Sequence, residues 1–560
     1  VTCEVARGGP LFAAAYPRLL RNPGPLDDIN RLWYYPDGFE AADMSLSRDG
    51  TPLPGQGVWE ALGETAPGDR VTLQFTTHVP ARQGTFGQRD GVTYLLGGWH
   101  PVMGAPGALP PGPIAYEVRV PAGTVGLVGR QPFGRRSPRL VTGSFHGRYV
   151  PLLVAPGADV QIASSAVLIS PRNRRGEPAG HADLTAPLDA SAEAEVLKTL
   201  AEGAAFAGAS GEPLPPLVAV IAPLRAQLVE PFDGGLAISD RAFHVLPVER
   251  IRKFHRAALW REQFAVGLRR RVEALEDTLP PEVAADAVAS AWLSDLLRAR
   301  YGDAEYAPDL LERVAVIPEI DALIFAPQVP FIETYYNAID ETTPARWRLD
   351  AFYHALPRGK LLFEKLKDRV GEANATAALR AYLGRGAPLL ASLERRFSGD
   401  LAPWLRTWLG PYPRVDYGVT PLPHAGPDAR VMVTVQGPDA GRIDEPLTVR
   451  AMGADGRVAT VSRWGPGALV LPVPAPLQVV ELDPAGRLVE LWHPEGYGPR
   501  YNNRVPPRWR FLLNDFSGLL AVTNRQLTLS LDFSLRQLHD LSRLLSFYAL
   551  YSPASVGTAV

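Results

Sequence analysis

The sequence predicts an α+β protein of several domains, with β-sheet at both ends and helices in the middle. Three observations carry this. The chain has 560 residues, several times the usual domain length, so about three or four separate cores are expected. Its 55 Pro and 52 Gly stand beside 46% hydrophobic residues, a balance that fits many short strands and turns joined to packed helices better than a disordered chain. The spacing of apolar residues also changes from period two to three-and-four and back again along the chain.

Residues 1–191 read as a β-sheet domain, because short β-type runs at 71–77 (VTLQFTT), 116–120 (YEVRV) and 150–154 (VPLLV) alternate with turn clusters. Pro- and Gly-rich segments such as 105–112 serve as loops. Residues 192–410 read as mainly helical, with apolar spacing of three and four over 248–279, 281–301, 361–370 and 389–409. In LLFEKLKDRV, Leu362, Leu366 and Val370 share one helix face, and Glu364, Lys365, Lys367 and Asp368 are expected mostly off it, with Gly371 as the stop. Residues 411–503 open on a turn-rich linker and return to strand-like runs at 430–436, 447–450 and 477–482, which fits a small β-sandwich. Residues 504–560 differ. LTLSLDFSL at 527–535 alternates without a break and LSFYALY at 545–551 follows, so two paired strands are expected. They fit either a hairpin on a soluble domain or the opening of an outer-membrane barrel, which needs at least about eight strands.

The formal net charge of -2, from 57 basic and 59 acidic residues, gives no general pull toward nucleic acid or an anionic membrane face. No nucleic-acid partner is expected. Cys3 is the only cysteine, which leaves no disulfide framework and no cysteine metal cluster. No run of about eighteen apolar residues indicates a transmembrane helix. The glycines of GTVGLVG at 123–129 read as strand and turn, since no Walker lysine or helix follows. Arg269, Arg270 and Arg271 read as a solvated helix face, and Trp404 with Trp408 as core packing.

Several further segments succeed one another in a telling order: GGWHP at 97–101, PFDGGLAISDRAFHV at 231–245, WLSDLLRARY at 292–301, RGKLLF at 358–363, AALRAYL at 377–383 and SGDLAPWLRTWL at 398–409. In that order the chain, over about residues 69–417, resembles the zinc aminopeptidase family of membrane alanyl aminopeptidase. The resemblance implies that residues 1–191 are the family's N-terminal sheet domain and 192–410 its thermolysin-like, peptidase-like domain.

The family's chemistry uses HExxH and a downstream glutamate, since histidines four apart share a helix face and leave zinc an open position for water. By the resemblance, that place reads His255, Arg256, Ala257, Ala258, Leu259. Arg256 stands at the general base and Leu259 at the second histidine, while Asp295 falls at the third ligand. Ala237 stands where a glutamate would recognise the substrate's amino group. Leu356 takes the place of the tyrosine that stabilises the oxyanion, with Tyr353 three residues earlier. The expectation is a catalytically degenerate member with no catalytic residue, no metal and no cofactor, acting as a peptide- or protein-binding or scaffolding module. Two other readings stay open. One is an active zinc aminopeptidase with a rearranged site from His244, His255 and Glu262 or Asp295. The other is the periplasmic or surface part of an outer-membrane protein, with membrane contact through the C-terminal hairpin.

Overall fold

The computed structural model describes residues 59–302 and 358–551 apart from short stretches, of which the longest are 105–111, 175–189 and 491–500, together with four short strands before residue 53. The protein is mixed α+β. It divides into two compact units, which part within one helix between Leu268 and Arg269.

In the first unit, alternation becomes strand wherever one face is buried. Along Arg70–Thr77, Val71 and Leu73 point inward and their neighbours outward. An antiparallel sheet follows, in the order Gln131–Phe133, Val125–Val128, Leu152–Ala155, Val92–Leu95, Phe86–Arg89. The GTVGLVG segment lies in it as turn and strand. The GGWHP segment forms a buried corner beside it, where His100 Nε2 accepts the Val150 amide at 3.1 Å and Trp99 Nε1 donates to Val150 O at 2.6 Å. Burial lowers the His100 pKa, and the ring is a neutral structural acceptor.

A second sheet positions the candidate site. Its strands are β1 (Gly157–Ile162), β2 (Ala166–Arg172), β3 (Leu217–Ala222), β4 (Val229–Phe232) and β5 (Gly235–Ser239), in the order β1-β2-β3-β5-β4. It takes strands from both sides of the 191/192 boundary expected from the sequence. Helix α1 (Ala190–Ala209) is the crossover that lets β2 and β3 run parallel, and β3 and β5 are buried throughout because both sheet faces are covered. One face, with Ala219, Ile221, Leu236 and Ile238, packs on Val196 and Leu200 of α1 and on Leu259 of α2 (Glu249–Glu273). The other, with Val218, Val220 and Ala237, packs on Val92, Tyr94, Leu127 and Leu153 of the antiparallel sheet. Helices α1 and α2 approach closely at Gly203, where a Cβ would lie 2.2 Å from Gln263 Oε1 and 2.9 Å from Trp260 Cδ1. Those side chains instead reach across, Trp260 donating to Thr199 O and Gln263 to Leu200 O.

The second unit is built on α3 (Pro281–Tyr301), which begins with proline in its first turn and ends at Gly302 in the left-handed region. Helix α4 (Arg358–Val370) crosses it, and Gly359 comes so near that a Cβ would meet Val283 O at 2.3 Å. Asp286 of α3 accepts the Lys360 amide at 2.8 Å, capping α4 from a neighbouring helix. Gly371 stops α4 as expected, with φ 80° and its amide on Lys367 O. Helices α5 (Glu372–Leu383), α6 (Leu389–Arg396) and α7 (Leu401–Arg406) follow. Trp408 lies in the core as its spacing predicts, but Trp404 is half-buried and donates to Asp444 O at 2.6 Å.

Two further sheets, one of three strands and one of four between Asp416 and Val505, enclose a core that includes Val431, Val449, Leu471 and Leu482. Leu361 of α4 and Trp408 belong to that same core. The chain then forms three strands rather than the expected two: β6 (Trp509–Ala521), β7 (Gln526–Gln537) and β8 (Asp540–Tyr551), an antiparallel meander. A bulge between Leu513 and Asp515 reverses the parity of β6 in mid-strand and hides its alternation from a period-two reading.

Candidate functional site

Helix α2 carries the segment at which the resemblance places the metal site, and its side chains are committed to packing. His255 is fully buried, and its Nδ1 accepts the Phe243 amide at 3.0 Å. Phe243 has φ 65°, a region that a bulky residue rarely adopts. The acceptor on Nδ1 puts the ring in the tautomer with hydrogen on Nε2, so that nitrogen carries a proton and offers no lone pair. Next to it, the Arg256 guanidinium grips Glu195 of α1 at 2.6 Å and Glu249 at 2.5 Å. Burial raises the Glu195 pKa, but the hydrogen bonds and charge of Arg256 outweigh it and hold the carboxyl below its ordinary value. Leu259 lies in the core between α2 and the mixed sheet.

Ala237 is not with them. It sits on β5 with its side chain in the core on the far face of the same sheet, because alternate residues of a strand point to opposite faces. Leu236 and Ile238 face the helices instead. The chain therefore does not bring the Ala237 position and the His255 position together.

Asp295 belongs to the second unit, on α3, where it faces α5. Arg380 lies 2.5 Å from its carboxylate. One turn on, Arg298 pairs with Glu372, which also accepts the Ser294 hydroxyl at 2.7 Å. Burial lifts the Asp295 pKa against the pull of Arg380 and Arg298. Burial also pushes Glu372 upward, but Ser294 and Arg298 prevail and its pKa falls. A groove of about 630 Å³ opens here, rimmed by Asp295, Arg298, Thr376 and Arg380 over Ala377 and Ala381. Leu356, Tyr353 and His244 lie outside the described residues. Glu262 lies 2.6 Å from Arg261. Among the described residues, no three His, Cys, Asp or Glu side chains gather as a metal-ligand set.

A buried ionic cluster in the second unit escaped the sequence reading. Lys365, expected off the apolar face of α4, is 1% exposed and contacts the fully buried Glu445. Tyr417 donates to the other Glu445 oxygen at 2.5 Å, and the ammonium lies 4.3 Å from the centre of the Trp408 ring. Helix α4 is apolar on one side toward α3 and buried on another against the sandwich, where Leu361 and Lys365 share a face four residues apart. Burial pushes the Lys365 pKa down to about 8 despite Asp368 and Asp483 nearby. Burial, with Glu490 and Asp483, raises that of Tyr417 well above its ordinary value.

No protein-family model matches the sequence, and no curated protein matches it.

Proposed function

We propose that the chain is a catalytically silent relative of the zinc aminopeptidases that holds a peptide or protein partner instead of cleaving it. The order of sequence landmarks supports the kinship. One observation carries the silence: the hydrogen bond from the Phe243 amide to His255 Nδ1, which leaves a protonated Nε2 where a zinc ligand would need a lone pair. Beside it, Arg256 holds a fixed cation, paired with Glu195, where a base would have to take a proton from water. For the partner we assign the groove between α3 and α5. Its volume of about 630 Å³ falls in the range of ligand sites, and Arg298 and Arg380 on its rim, half-exposed and each paired with one carboxylate of the chain, Glu372 and Asp295, have further N–H donors for a peptide carboxylate.

Two measurements test this. After zinc loading and desalting, the purified chain should retain less than about a tenth of an equivalent, since genuine three-ligand sites keep their metal. Near one equivalent, with hydrolysis of aminoacyl anilides, would return the chain to the active peptidases. Photo-crosslinking with a library of free-carboxylate peptides should label α3 or α5 and weaken in Arg380→Ala. Labelling that ignores this substitution removes the groove from the proposal.

A further inference from the structure

Strands β6, β7 and β8 form a sheet whose two faces differ along its length. On β7, Leu527, Leu529, Leu531, Phe533 and Leu535 alternate with polar residues. The register sets Leu545, Phe547, Ala549 and Tyr551 of β8 beside the last four of these. On the other side, β6 contributes Phe511, Leu513, Phe516, Gly518 and Leu520 to the same rows. Between the row of Phe511 and the row of Leu520, this face carries no charged residue. Leu545 and Phe547, which lie on it, are 52% and 47% exposed.

The opposite face reads differently. Its register partners include Ser517 with Ser530, Asp515 with Asp532 and Arg510 with Arg536, and Leu512, Leu519, Leu544, Tyr548 and Leu550 stand among them. Like charges set opposite each other are destabilising unless water screens them, so this is the face for water. The apolar face then needs the cover. Its strands have 13, 12 and 12 residues, about twice the mean strand of soluble proteins. At ~3.3 Å per residue, 12 residues span ~40 Å, or ~28 Å normal to a membrane at a tilt of ~45°, close to the hydrocarbon thickness of ~30 Å. Trp509, in the row of Gln537 and Asp540, and Tyr551, in the row of Leu529, hold register positions toward the two ends of this face, and aromatic residues are enriched at such interfacial levels. Among the described residues, no helix is long and apolar enough to cross a membrane, so any crossing by these elements falls to strands.

We propose that this apolar face lies against the hydrocarbon of a lipid bilayer, with the opposite face turned to water, as in the wall of a transmembrane β-barrel. Three strands cannot close such a wall, and the outer edges of β6 and β8 then continue into further strands, from a longer polypeptide or from other copies.

The test uses the full chain with its single cysteine removed by Cys3→Ser and one cysteine introduced at a time. Leu531→Cys and Phe547→Cys report on the apolar face, Ser530→Cys and Ser546→Cys on the other. Each is labelled with a polarity-sensitive fluorophore and mixed with vesicles of phosphatidylethanolamine and phosphatidylglycerol. Spin-labelled acyl chains should quench the labels at 531 and 547 at least about threefold more than those at 530 and 546, which aqueous acrylamide should quench instead. Equal quenching on both faces, or no lipid quenching on either, overturns the proposal. Labels at 531 and 547 shielded from both quenchers overturn it in favour of a protein cover, a second copy if the particle mass doubles. As a check independent of labelling, Leu531→Arg should cut vesicle binding at least about tenfold while Ser530→Arg leaves it within about twofold, and equal effects would sink the idea.

Discussion

At the scale of single residues, His255 is an acceptor for a strained amide. Replacing it with leucine keeps the volume close but leaves the Phe243 N–H without its acceptor. A loss of about 1–3 kcal/mol is expected, read as a lower urea midpoint. Glu195 gives a pH dependence of definite sign. Its pKa in the folded chain lies below the ordinary value, so as pH falls the unfolded chain takes up this proton first. The stabilisation from the Glu195 carboxylate is complete above the ordinary glutamate range and drains away as pH drops through the lowered value. In Glu195→Gln, a series of urea midpoints between neutral pH and about pH 3 should show a shallower acid decline. The identities at 255, 256 and 259 could be read directly from the sequence, and so could their mismatch with HExxH. The partners of His255 and Arg256 could not, since Phe243 and Glu195 come to them through an unusual φ and through a helix 61 residues away.

Among the elements, the crossing of α3 and α4 is set by one missing side chain. Gly359→Ala would drive a methyl group into Val283 O and the Ala287 amide, both backbone atoms that cannot turn aside. A destabilisation of about 1–3 kcal/mol is expected from calorimetry or urea unfolding, together with loss of the Asp286 bond to the Lys360 amide. The helical middle was legible because its apolar residues repeat at three and four over long windows. Strand β7 was legible for the corresponding reason at period two. Strand β6 was not, because the bulge before Asp515 moves its inward set from odd to even numbers. Ala237 shows a related limit. Its neighbours are apolar on both sides, so alternation could not say which face of the mixed sheet it joins.

For the whole molecule, the sequence signalled α+β construction and several cores, while the ionic cluster around Lys365 lay hidden within a run of charged residues expected mostly off the apolar face of α4. Lys365→Met leaves Glu445 buried without its cation, and a loss of about 3–5 kcal/mol is expected. Adding Glu445→Gln should recover about half of it, because a neutral amide no longer requires a counter-charge. Thermal unfolding of the single and double variants checks this, and equal midpoints would mean that the pair does not couple. The cluster has a further consequence for inheritance. A sheet segment joined to the helices by Leu361, Trp408 and a buried lysine cannot be shuffled between genes as an interchangeable cassette. A host lacking α4 would receive a sandwich with a hole in its core and a stranded carboxylate at the bottom of it, so α4 and the two sheets should be gained or lost together.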